Sequence, residues 1–139
     1  MAEATTTGKA KGPLPLSPHM QIWRWHVTMA ASIFTRATGV ALYGGALIVT
    51  GWLASLMLGP DAYACYVGLL GSPLGKLVMF GLTISIFYHL AAGIRHLVFD
   101  MGAGFDPRTA NMTAVGAFAF SIVASLVVWF LAWQTGGLH

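Results

Sequence analysis

Charge is what this chain of 139 residues lacks: seven basic and four acidic side chains, 8% of the total. A soluble domain carries about a quarter charged residues. So few cannot cover a water-facing surface, and with 57% hydrophobic side chains and a mean hydropathy of +0.74 the composition is that of an integral membrane protein. Cysteine is almost missing too. Cys65 stands alone, which excludes an internal disulfide and any zinc or iron–sulfur site built on a cysteine pair. The net charge of +3 is small and its basic residues are scattered, so a nucleic-acid face has no support. The opening "MAEATTTGKAKGPLPLSPHM" lacks the apolar core of a secretory signal. It contains Glu3 and no arginine, which argues against a transit peptide and favours a bacterial membrane. Residues 1–29 read as a short polar arm stiffened by Pro13, Pro15 and Pro18.

What the chain has instead is three long apolar runs, at 30–58, 74–99 and 113–133. Each is long enough to cross a bilayer as a helix, which takes roughly 20 residues. "LGPDAY" breaks the chain after the first run and "GAGFDPRT" before the third. The expected fold is an all-α membrane domain of three transmembrane helices. Lys9, Lys11, Arg24 and Arg36 cluster at the start of the first run, and Arg95 and Arg108 flank the link between the second and third. The opposite side has Lys76 alone. Basic residues stay inside, so the N-terminus is predicted cytoplasmic and the C-terminus periplasmic.

Ionisable groups inside a membrane are costly and mark functional sites. The second run ends in "YHLAAGIRHLVFD", where His89, Gly93, His96 and Asp100 fall within about 60° of one another on a helix. A membrane-buried imidazole can ligate haem, relay protons or bond to another helix. His89 is deep enough to ligate iron. His96 lies about 10.5 Å farther along the same helix and cannot be the opposite ligand. His19, His26 and His139 lie outside the runs, and the sulfur donor Met79 shares the helix of His89. A haem here would therefore borrow a ligand from another chain. In "SIFTRATG", Ser32, Arg36, Gly39 and Tyr43 share a face, with donors suited to an oxygen-rich ligand or to lipid headgroups. Ala117, Ser121 and Ser125 recur every four residues as a small-residue packing face. These groups also suit a small proton- or ion-transport subunit, or a haem-free structural anchor.

With these motifs in place, the chain resembles the cytochrome b membrane-anchor subunits of succinate dehydrogenase. That family carries an Arg-Pro, then Ser-Pro-His, then Ser-x-x-His-Arg before Thr/Ser-Gly. Here these read "PLSPHMQIW" and "SIFTRATG". A second signature, His-x3-Gly-Ile-Arg-His with an aspartate four residues on, matches "HLAAGIRHLVFD". The resemblance implies that His89 is an axial ligand of haem b, with the opposite ligand on a second, smaller anchor subunit. It implies that His96 lies near a haem propionate, that Arg95 pairs with a propionate or the iron–sulfur subunit, and that Ser32 and Arg36 line a ubiquinone pocket. Iron–sulfur and flavoprotein subunits would complete the complex in a heteromeric transmembrane bundle. The succinate-oxidising site would lie on another chain, leaving no catalytic residue on this one. Two departures stand out: Thr35 occupies the position of the usual histidine, and Leu14-Pro15 replaces the Arg-Pro.

Overall fold

A computed structural model describes residues 24–137. Most of the expected arm, with Lys9, Lys11 and His19, lies outside the described residues. Four helices follow one another: α1 Val27–Leu58, α2 Pro60–Gly71, α3 Pro73–Asp100 and α4 Pro107–Gln134. Among the described residues there is no strand. α1, α3 and α4 are long and apolar enough to cross a membrane, so the expectation of an all-α protein with three spanning helices holds.

The helix starts are written in local chemistry. α2, α3 and α4 each carry proline in the first turn, where its missing N–H is not needed. Ser72 caps α3 by accepting the Gly75 N–H at 3.1 Å. Asp106 caps α4, its carboxylate accepting the N–H groups of Arg108 and Thr109 at 3.1 and 3.2 Å. α4 therefore begins at Pro107, ahead of the apolar run: hydropathy marks the hydrocarbon, whereas the cap marks the helix.

The short α2 has no counterpart in the sequence expectations. Gly59, at φ +111°, turns the chain between α1 and α2 in a conformation that other residues resist. At 12 residues α2 is too short to span a bilayer. It folds back on α1, where the Tyr66 hydroxyl donates to the Ile48 carbonyl at 2.8 Å. Gly51 gives that tyrosine room, since a Cβ there would stand 2.6 Å from the phenol oxygen.

α3 packs between α1 and α4. Its buried residues are Ser85, Tyr88 and Ala92, and α4 meets it with Ala114, Ala117, Ser121 and Ser125. Small side chains let membrane helices approach closely, which is the driving contact where lipid removes the hydrophobic term. Tyr88 joins all three spans, its ring centroid 6.0 Å from Phe34 of α1 and 4.7 Å from Phe118 of α4. Near the other end the Trp129 indole donates to Thr83 at 3.2 Å. Val40, Leu47, Leu90, Leu97 and Val123 all face outward, the reverse of a soluble protein.

Candidate functional site

The polar site is built where α1 crosses the second half of α3. Thr38 meets His89, and Gly45 meets Leu82. Seven residues along α1 thus match seven in reverse along α3, so the two helices run antiparallel in a fixed register.

Tyr88 fixes the crossing. It is 2% exposed, and its hydroxyl donates to the Ala31 carbonyl at 2.9 Å. The adjacent His89 comes to rest on the edge of the α1–α3 seam, half-buried. Its Nδ1 lies 3.2 Å from Oγ1 of the buried Thr38. A Cβ built on Gly39 would stand 3.4 Å from the ring Cε1, so the imidazole is laid directly against α1 backbone. One turn on, a Cβ at Gly93 would meet nothing within 4 Å. His96 and Asp100 are exposed. The stripe His89–Gly93–His96–Asp100 therefore looks out of this chain's bundle, with only its deep end moored to α1.

Ser32 and Arg36 are exposed as well. Arg36 is two residues before Thr38, which at 100° per residue sets it roughly opposite the side of α1 that faces α3. Tyr43 shares that outer side. Among the described residues no hydrogen bond links Ser32 or Arg36 to α3.

Arg95 turns the other way. Its Nε donates to Thr113 Oγ1 and its Nη2 to the Ala110 carbonyl, each at 3.1 Å. The guanidinium also sits 4.6 Å from the centroid of Phe99. Within this chain Arg95 clamps the end of α3 to the start of α4. Thr35 donates to the Ala31 carbonyl of its own helix at 2.8 Å.

Three site residues escaped the sequence reading: Thr38, Gly39 as a neighbour of His89, and Tyr88. The signal for each is the α1–α3 register, which no local pattern carries. Among the described residues no group of three or more His, Cys, Asp or Glu could hold a metal ion. The donor set available is one imidazole, moored at one nitrogen and open on its outer side, which suits a single protein ligand to a haem iron.

Residues 11–128 match the model of the succinate dehydrogenase/fumarate reductase transmembrane subunit. The chain belongs to this family. Among its succinate dehydrogenase relatives, the cytochrome b556 subunit of Paracoccus denitrificans is 37% identical over 124 residues, 87% of this chain and 95% of that one. The cytochrome b556 subunit of Rickettsia felis is 31% identical over 83% of this chain and 90% of its own length. The mitochondrial cytochrome b560 subunit of Sus scrofa is 34% identical over 81% of this chain and 68% of its own. The three spanning helices are thus those of a succinate dehydrogenase/fumarate reductase membrane subunit, and the outward-looking stripe is a surface of a complex-forming protein.

Proposed function

We propose that this chain anchors a succinate dehydrogenase in the membrane, forms half of a haem b pocket with His89, and lines part of a ubiquinone pocket with Ser32 and Arg36. The observation that carries this reading is the imidazole of His89, held to Thr38 through Nδ1 and open on the outer edge of the bundle. A second, smaller anchor subunit would cover that edge and supply the remaining protein ligand. Haem b, when bound, supplies a one-electron store beside the quinone. His96, at the exposed end of the stripe, meets a propionate. Arg95 braces this wall from behind, because its Nε and Nη2 are committed to α4.

In the quinone pocket, Ser32 donates its hydroxyl to a quinone carbonyl. Arg36 stabilises the negative charge that develops on oxygen when electrons arrive ahead of protons. Both residues face outward from α1, which leaves the remaining walls to the small anchor and the iron–sulfur subunit. Electrons originate at the flavoprotein, where succinate is oxidised, and this chain contributes no residue to that step. The membrane is a bacterial inner membrane, with the start of α1 and the end of α3 on the cytoplasmic side.

The test is a dithionite-reduced minus oxidised spectrum of the purified complex, alongside succinate-driven quinone reduction, for wild type and His89→Ala. A b-type signal that the substitution abolishes or shifts supports the reading. A signal untouched by the substitution places the iron elsewhere, and a wild-type complex without the signal leaves a haem-free anchor.

A further inference from the structure

The proton of Thr38 decides which nitrogen of His89 is free. Thr38 Oγ1 lies 2.7 Å from the Phe34 carbonyl and 3.1 Å from the Thr35 carbonyl, both on its own helix. A threonine hydroxyl has one hydrogen to give, and in a helix it goes to a carbonyl one turn back. Both carbonyls are acceptors only. The third neighbour, His89 Nδ1 at 3.2 Å, therefore meets the oxygen's lone pairs, and the hydrogen in that contact must come from the ring. An unprotonated Nδ1 would set two lone pairs against each other. The neutral imidazole then carries its hydrogen on Nδ1 and leaves Nε2 bare.

From this geometry we infer that Thr38 is a positioning residue: it fixes the tautomer and ring plane of His89 so that Nε2 is presented outward as a metal-ligating lone pair. The inference rests on the reading of His89 as an iron ligand. Three features of the fold serve it together. Thr38 is buried, 7% exposed, so water does not compete for Oγ1. Gly39 admits the ring edge against α1, and the Tyr88–Ala31 bond holds the two helices in register one residue away. A hydrogen-bond acceptor behind a ligating imidazole raises its basicity, and loss of such a partner weakens metal affinity about 10- to 100-fold. A more basic ligand also favours ferric over ferrous iron, so the acceptor lowers the haem potential.

The experiment compares wild type, Thr38→Val, Thr38→Ser and Thr38→Ala as the assembled complex. Haem per complex after a detergent wash, the potentiometric midpoint of the haem and its ferric electron paramagnetic resonance spectrum are read. Thr38→Val keeps the shape and removes the hydroxyl. It is expected to retain haem roughly 10-fold less well, at a raised midpoint and with a shifted ferric signal, while Thr38→Ser stays near wild type. Should Thr38→Val disturb packing, the contrast of Ser with Ala isolates the hydroxyl on an equally small side chain. Wild-type midpoint and retention in Thr38→Val and Thr38→Ala overturn the proposal. So does an equal change in Thr38→Ser and Thr38→Ala with Thr38→Val near wild type, which would mark a packing role for the methyl group. A haem signal that survives His89→Ala overturns the ligand reading itself, and Thr38 falls with it.

Discussion

The ring edge of His89 lies against Gly39, close enough that a Cβ at that position would stand 3.4 Å from Cε1. A single methyl group just fits at that distance, whereas a branched side chain does not. Gly39→Ala is expected to keep the haem spectrum, and Gly39→Val to push the ring off α1 and lower haem occupancy about tenfold. Haem-to-protein ratios of the two purified complexes check this. Equal occupancy in both would mean that the ring has room the close approach denies.

Arg36 faces away from α3, so its loss leaves the helix packing alone and removes a donor from the proposed quinone pocket. Arg36→Leu should slow succinate-driven quinone reduction on the order of 100-fold. Succinate oxidation with a soluble acceptor should persist. Arg36→Lys restores charge without the planar fork and should fall between the two. Parallel loss of both activities in Arg36→Leu would instead point to failed assembly.

The Tyr88 hydroxyl bridges to Ala31 while its ring packs on Phe34 and Phe118. Tyr88→Phe removes only the bridge, and a hydrogen bond between membrane helices is worth about 0.6 kcal/mol on average. The variant complex should assemble and unfold slightly earlier in a denaturant titration. Tyr88→Ala removes the ring from three helices and should lower the amount of complex recovered from membranes.

Ser125 is fully buried, yet its hydroxyl donates only to the Ser121 carbonyl of its own helix, at 2.6 Å. Size, rather than polarity, is what the position requires. Ser125→Ala should leave stability unchanged, and Ser125→Leu should cost about 1–3 kcal/mol through overpacking. The same denaturant titration separates the two outcomes.

The spanning helices were legible because an apolar run of about 20 residues has few other uses. α2 was not, because its 12 residues are too short and too mixed to show either a spanning run or a clear face. His89 stood out as an ionisable group in hydrocarbon. Thr38 did not, because a threonine inside a helix ordinarily bonds its own backbone, and Thr38 does so here as well. Its second task exists only once α1 and α3 take up their register. Arg95 illustrates the opposite limit. It is next to His96 in the sequence, and a step of 100° turns it toward Thr113 and Ala110 on α4, contacts that no local pattern carries.

The link between α3 and α4 is six residues long and ends in the Asp106 cap. Between α1 and α3, by contrast, the chain must pass through the whole of α2. Closing a short loop loses less chain entropy than closing a long one, which favours pairing of α3 with α4 before α1 docks. On that order Tyr88–Ala31 and His89–Thr38 form late. The orientation of the imidazole then depends on completed assembly of the spans, and a subunit caught with α1 undocked has His89 in its sequence but no fixed ring plane.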